Sequence, residues 1–293
     1  MRLLRLCLVS LMVPAAAGAQ TTTGTTANGL YYEASGSGDP VVLIHAFSVD
    51  RRMWAPQIAA LERRFRVIRY DLRGHGNSTA PSEPYTAHDD LRSVLDALGI
   101  TRATLVGLSA GSTLAIDFAI AYPDRVTGLV LASPGLNGHV PSPPLTWTQP
   151  VFQAAGAGDA EGAARLWAET PIMATYGGAA TAATVKSLVM SNVRLWTYRT
   201  NPTRPLTPPA IGRLREIRSP TLVILGERDL PHIKEIAGLV VAGVSGARLV
   251  TVPGAGHIVN LDAPDAFNTA VETFVGGRWS APGDATSQPA RPN

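Results

Sequence analysis

The chain has 293 residues, 45% of them hydrophobic and 16% charged, which excludes collagen-like, coiled-coil and broadly disordered architectures. Its 25 Lys and Arg against 22 Asp and Glu leave a formal charge of +3, with no basic cluster of the kind that binds nucleic acid. The single cysteine, Cys7, rules out an internal disulfide framework and a cysteine-ligated zinc site, so packing must supply the stability.

The first element is a targeting segment. Arg2 and Arg5 precede and interrupt the apolar run Leu3 to Val13, and Ala17-Gly18-Ala19 follows as a small-x-small cleavage signal, so residues 1–19 read as a secretory signal peptide. The run is too short to cross a bilayer, which takes roughly 20 residues, and no stable membrane insertion is expected. Removing this segment takes away two arginines, no acid and the cysteine, which brings the formal charge from +3 to +1. The product is an exported chain, periplasmic or extracellular, that needs no disulfide in an oxidising compartment.

The Thr-rich stretch 20–28 reads as a flexible segment. From there short apolar runs alternate with amphipathic ones. Strands are expected at Val41–Ile44, Val67–Tyr70, Ala103–Val106, Leu129–Leu131, Leu222–Leu225 and Leu249–Val252. Helices are expected between them at Trp54–Arg64, Ala87–Leu98, Ala110–Ala121, His232–Val241 and Pro264–Val275. That order predicts an α/β fold with a mostly parallel central sheet flanked by helices, built from residues 29–132 and 218–276. Between them, over 133–217, prolines punctuate helical stretches such as Asp159–Glu169, and the strand rhythm stops. This segment reads as an inserted helical lid. Residues 277–293, rich in Pro, Ser, Ala and Gly, read as a flexible tail.

The lid holds much of the chain's aromatic and thioether content. Trp147, Trp167, Met173, Tyr176 and Trp196 are its candidate substrate contacts, although large apolar residues are more often core than ligand surface. An inserted lid would cover the carboxyl ends of the strands, where open α/β sheets place their ligands. Its aromatic content points to a small apolar or aromatic acyl substrate.

The chemistry begins at Gly107-Leu108-Ser109-Ala110-Gly111, a G-x-S-x-G sequence between an expected strand and an expected helix. That context is what a nucleophile elbow needs: small flanks permit the sharp turn that projects the serine hydroxyl above the sheet, and the N–H of Ala110 lies at a helix N-terminus. A serine hydroxyl is a weak nucleophile until a base takes its proton, and the base needs an orienting carboxylate. Gly226-Glu227-Arg228-Asp229 follows one strand and Pro253-Gly254-Ala255-Gly256-His257 follows the next, which gives the chain order Ser109, Asp229, His257.

Together with His45-Ala46-Phe47 and Asp71-Leu72-Arg73-Gly74-His75-Gly76-Asn77-Ser78, these segments resemble the α/β-hydrolase fold superfamily, in its lidded esterase and haloperoxidase-like branch. The resemblance spans roughly residues 30–276. It implies a Ser109–His257–Asp229 triad and an oxyanion hole from the backbone N–H groups of Phe47 and Ala110. Where this chain has Ala46 the family usually has glycine, so a narrowed oxyanion loop is expected. Glu227 is the rival acid, expected to brace its loop; His45, His75 and Asp71 are expected to hold turns.

The reading is therefore a secreted serine hydrolase that cleaves a carboxylic ester or related acyl compound through an acyl-enzyme, with no metal and no cofactor. Carbon–carbon bond hydrolysis, lactone opening, aminopeptidase action and cofactor-free perhydrolysis use the same residues and stay open. A dehalogenase or epoxide hydrolase of this fold would carry Asp in place of Ser109. A non-catalytic ligand-binding module is the alternative of another class.

Overall fold

A computed structural model describes residues 21–198 and 202–277; the segment 1–19 expected as a signal peptide and the expected tail from 278 onward lie outside the described residues. Eight strands form one sheet: β1 (Thr22–Thr25), β2 (Tyr31–Ser35), β3 (Pro40–Ile44), β4 (Arg66–Tyr70), β5 (Ala103–Leu108), β6 (Val126–Ala132), β7 (Thr221–Gly226) and β8 (Arg248–Val252). Their spatial order is β1-β2-β4-β3-β5-β6-β7-β8, antiparallel in the first two pairings and parallel in the rest. The helices are α1 (Ala55–Leu61), α2 (Ala87–Ala97), α3 (Ala110–Ala121), α4 (Gln149–Gly156), α5 (Ala160–Ala168), α6 (Ala179–Met190), α7 (Pro231–Gly243), α8 (Val259–Asp262) and α9 (Pro264–Val275).

The apolar runs were strands because both faces of the parallel sheet are buried. Val42, Ile44, Leu105, Leu129, Leu131 and Val223 pack in one cluster, beneath α2, α3 and α7. Their alternating neighbours Val41, Leu43, Val106, Val130, Leu222 and Ile224 pack in a second, with Phe267 and Val271 of α9 and Val185 and Leu188 of α6. A period of two across a sheet covered on both sides leaves no polar face to write into the sequence. Only the edge strand β8 alternates in exposure.

Two differences from the sequence reading stand at the amino end. The Thr-rich stretch expected to be flexible contains β1, whose Thr22 to Thr25 pair with Ala34 back to Tyr31. β-Branched threonines suit an extended, half-exposed edge, and pairing with β2 gives them a ladder to join. β2 itself, unannounced by any apolar run, bridges that hairpin to β4. The first expected helix is also shorter: a 3-10 turn over Arg51–Trp54 leads into α1, which stops at Leu61.

Between β6 and β7 the chain forms α4, α5, α6 and several single turns rather than strands. Asp159 caps α5 by accepting from the N–H of Gly162 at 2.7 Å. Side-chain hydrogen bonds tie this segment to the core. Trp167 Nε1 donates to Ser48 Oγ at 2.6 Å, and Asn192 Nδ2 donates to Asp50 Oδ2 at 2.9 Å while its Oδ1 accepts from Gly76 N at 2.8 Å.

Candidate active site

Ser109 sits at the junction of β5 and α3 with φ 55° and ψ −113°, a strained conformation for a residue with a side chain. The junction explains its flanking glycines. A Cβ on Gly107 would overlap the carbonyl of Gly111, and one on Gly111 would overlap the carbonyl of Ile44 in β3. The elbow is held from below as well: the N–H of Ser109 donates to Ala132 O at 3.0 Å, and Ser112 Oγ donates to Gly107 O at 2.7 Å. Strain at Ser109 is thus fixed by close backbone packing against both neighbouring strands.

Asp229 and His257 come together as a buried pair. His257 Nδ1 lies 3.0 Å from Asp229 Oδ1 and 3.3 Å from Oδ2, with side-chain exposures of 3% and 0%. A carboxylate that accepts at Nδ1 keeps the proton there and leaves Nε2 as the bare, basic nitrogen. Nε2 is buried without a hydrogen-bond partner among the described residues, and the Ser109 hydroxyl makes no hydrogen bond to it in this structure. Both loops are braced. Glu227 Oε2 accepts from Gly254 N at 2.8 Å, and the N–H of Arg228 donates to Ala255 O at 2.8 Å. Glu227 is exposed, and its bond to Gly254 N braces the loop as expected.

One bracing residue was not singled out from sequence. Asp262, at the end of α8, accepts at Oδ2 from Gly256 N (2.8 Å) and at Oδ1 from Tyr176 N (2.7 Å) and Gly177 N (3.0 Å). It joins the histidine loop to the segment that precedes α6. A lone Asp before Ala-Pro carries no sequence signal of that role, because two of its three partners lie about 85 residues away.

His45 and His75 are held in the turns beside this centre. His45 Nε2 accepts from Leu72 N at 2.9 Å, so the ring's proton sits on Nδ1, 2.7 Å from Ala46 O. Full burial pushes its pKa down to about 4 and keeps it neutral. His75 packs against it with ring centroids 4.9 Å apart; burial, reinforced by its histidine neighbour, takes its pKa down to about 3. Asp71 holds its turn through Asn77 N at 2.8 Å and binds the Arg51 guanidinium at 2.7 Å. Ala46 is buried among Val49, Met53 and Trp54, so its methyl group packs into the interior.

A cavity of about 350 Å³ lies beside this centre, and both expected oxyanion residues, Phe47 and Ala110, line it. The expected substrate contacts do not. Trp167 and Trp196 are buried and stand 5.5 Å and 5.6 Å from Phe47 in edge-on packing, while Trp147 leans on Trp167 at 6.1 Å. Met173 is buried in the same core cluster, and the half-exposed Tyr176 ring lies under the Arg228 guanidinium at 4.9 Å. None of the five borders this cavity, whose walls combine the apolar side chains of Phe47, Leu72, Ala87, Leu114 and Pro205 with polar ones that include His75, Tyr85, Asp117 and Asn137. A larger cavity, about 520 Å³, opens at the opposite end of the sheet around Pro40, Thr104, Thr127 and Thr221, at the amino ends of the strands. Ligands of open α/β sheets bind at the carboxyl ends, which favours the smaller cavity.

This arrangement has counterparts. The "Putative carbamate hydrolase RutD" of Caulobacter sp. (strain K31) is 30% identical over 275 residues, 86% of this chain and 97% of that protein. The enol-lactonase from Burkholderia xenovorans LB400 superposes with a TM-score of 0.71 at 27% identity, covering 87% of this chain and 100% of that one. A thermophilic esterase from Thermogutta terrifontis gives a TM-score of 0.71 at 26% identity, over 88% and 99% of the two chains. The profile of the alpha/beta hydrolase family matches residues 41–270, which take in the parallel strands β3 to β8 and the helices among them, and the chain belongs to that family of hydrolases.

Proposed function

We propose that this hydrolase is a serine enzyme that cleaves a carboxylic ester or a related acyl bond. The observation that carries the reading is the buried Asp229–His257 pair, whose free Nε2 lies at the same strand ends as the strained Ser109. His257 Nε2 takes the Ser109 proton as Oγ attacks the carbonyl carbon; Asp229 holds the tautomer and stabilises the imidazolium. The backbone N–H groups of Phe47 and Ala110 bind the oxyanion, each worth about 3 kcal/mol when well aimed. The imidazolium then protonates the leaving group, and a water molecule, deprotonated by the same ring, releases the acyl group from Ser109. Catalytic hydrogen bonds are often loose in free enzymes and tighten around substrate, so the Ser109–His257 bond forms in the complex.

The segment between β6 and β7 acts as the lid over this centre, and residues 1–19 export the protein. Relatives named for lactone and carbamate substrates mark the breadth of acyl chemistry open to the same residues. A panel of esters, lactones, carbamates and amides, run on wild type beside Ser109→Ala, tests the reading. Ester or lactone turnover should fall by about 10³-fold or more in the variant, and a fluorophosphonate should label Ser109. Unchanged turnover in Ser109→Ala, or no labelling of the wild type, overturns it.

A further inference from the structure

The cavity beside Ala110 has a direction. Ala110, Thr113, Leu114 and Asp117 all line it, and their spacing of three, four and seven residues puts them on one face of α3. At 1.5 Å of rise per residue, Asp117 lies about 10 Å along the helix from the oxyanion end. The near end, at Phe47 and Ala110, is where a scissile carbonyl sits in the reading above. The far end is marked by a carboxylate.

Two polar atoms on these walls lack partners. Asp117 is 7% exposed; its carboxylate has the Leu206 N–H beside it and receives Asn137 Nδ2 on Oδ2 at 3.4 Å, whereas its Oδ1 has no hydrogen-bond partner among the described residues. His75 is also 7% exposed. Its Nδ1 lies 3.1 Å from Arg73 O, a pure acceptor, so Nδ1 carries the proton and Nε2 is a bare acceptor, again unpartnered. A buried acceptor left without a donor costs roughly 1–3 kcal/mol, and two on one cavity are an expense that a ligand's donors would offset. Two arginines border the cavity and neither supplies them: Arg73 is committed to Asp90 through bonds of 2.8 Å and 2.6 Å, and Arg204 donates to neither orphan atom.

Both orphans accept. A carboxylate or phosphate tail would add acceptors to acceptors, and a plain alkyl tail would leave both unpaired. We propose that this cavity binds the part of the substrate remote from the scissile carbonyl, and that Asp117 selects acyl compounds whose far end carries a hydrogen-bond donor, a hydroxyl or an ammonium group. The inference rests on the serine-hydrolase reading for the position of the carbonyl. It adds a donor at the far end to the apolar or aromatic substrate expected from the lid's composition, since Leu72, Ala87, Leu114 and Pro205 give the same cavity apolar wall.

The test separates the pocket from the chemistry. In Ser109→Ala protein, binding of ethyl octanoate, ethyl 8-hydroxyoctanoate and ethyl 8-aminooctanoate is measured by calorimetry, so the esters stay intact. The donor-tipped esters should bind about tenfold more tightly than the octanoate. Adding Asp117→Leu should erase or invert that order; adding Asp117→Asn should keep the hydroxyl preference and lose the ammonium one. A preference for the hydroxyl ester alone, or for the ammonium ester alone, names the source of the donor. Equal Kd values for all three, or the same order with and without a substitution at 117, overturn the proposal. Wild-type turnover of the same esters is scored apart: if none is hydrolysed the serine reading fails, while the Kd order still decides what the pocket recognises.

Discussion

Phe47 belongs to two neighbourhoods built in different ways. On one flank the rings of Trp167 and Trp196 pack against it and against each other at 5.6 Å, both buried and continuous with the core that includes Met173, Val185 and Leu188. On the other, His75, Tyr85, Asp90 and Asp117 border a cavity. The aromatic flank spends its surface on itself; it has one unpaired donor, Trp196 Nε1, and its other buried indole N–H, on Trp167, is bonded to Ser48. The polar flank keeps buried acceptors open. The difference teaches that the richest concentration of large side chains in a sequence can be a buttress, while recognition lies with groups whose folding requirements are unmet.

The largest expected effect lies on the aromatic flank. Trp167→Ala removes a 9% exposed ring that touches Phe47, Trp147 and Trp196, and large-to-small changes of this kind cost about 3–5 kcal/mol. For a domain of this size that lowers Tm by roughly 10 °C, measurable by calorimetry. A Tm within a degree of wild type would mean that the ring is a ligand surface after all.

Acid probes the polar flank next. His45 and His75 are neutral in the fold, with pKa values taken down to about 4 and about 3, against 6.5 in an unfolded chain. Because the unfolded chain binds those protons first, their contribution is fully present above pH 6.5 and is lost as pH falls towards 4. Each pKa unit is worth about 1.4 kcal/mol, so urea midpoints measured across that range should drop by the equivalent of a few kcal/mol. A flat profile between pH 6.5 and 4 would contradict the buried neutral pair.

Asp117 has the opposite sign. Burial pushes its carboxyl up to about 6, even though Asn137, the N–H of Leu206 and the charge of Arg213 all favour the anion. Its ionisation at pH 7 therefore costs the fold, and Asp117→Asn should stabilise the protein by about 1–2 kcal/mol while it loses ammonium binding. That advantage should shrink as pH falls from about 6 towards 3.8, where wild-type Asp117 is protonated in the fold but still ionised in the unfolded chain. A destabilised Asn variant would show that Asp117 is held there by folding rather than by function.

Much of this was readable from residues alone, for definable reasons. The parallel strands were legible because each is apolar on both faces, and α3 and α9 fall at the expected residues because Gly-flanked Ser109 and Pro264 mark their starts. Ser109, Asp229 and His257 were legible from motif context, and the structure brings the latter two into contact. β1 and β2 were not, since an edge hairpin of Thr and Tyr owes its order to pairing with β4 rather than to local pattern. Asp117 was hidden inside an apolar helix, and Asp262 at the end of the short α8; each takes its meaning from partners that include residues well apart in sequence. The tryptophans were visible, but not the direction they face.

The smallest expected effect isolates that direction. In Trp167→Phe the apolar contact with Phe47 largely survives, while the 2.6 Å bond from Nε1 to Ser48 Oγ is lost. Ser48 is fully buried and has φ 66°, so its hydroxyl is left without a donor in a backbone conformation that the bond helps to hold, one residue from the expected oxyanion N–H of Phe47. A single neutral hydrogen bond is worth about 1 kcal/mol, so the loss in Tm should be only a few degrees. Turnover discriminates further. If the aromatic flank serves the site by holding Ser48 and hence Phe47 N–H, Trp167→Phe lowers kcat with KM nearly unchanged, because the oxyanion donor matters most in the transition state. If instead the indole touches substrate, KM rises and kcat does not, and the division between a packing flank and a recognition flank is wrong.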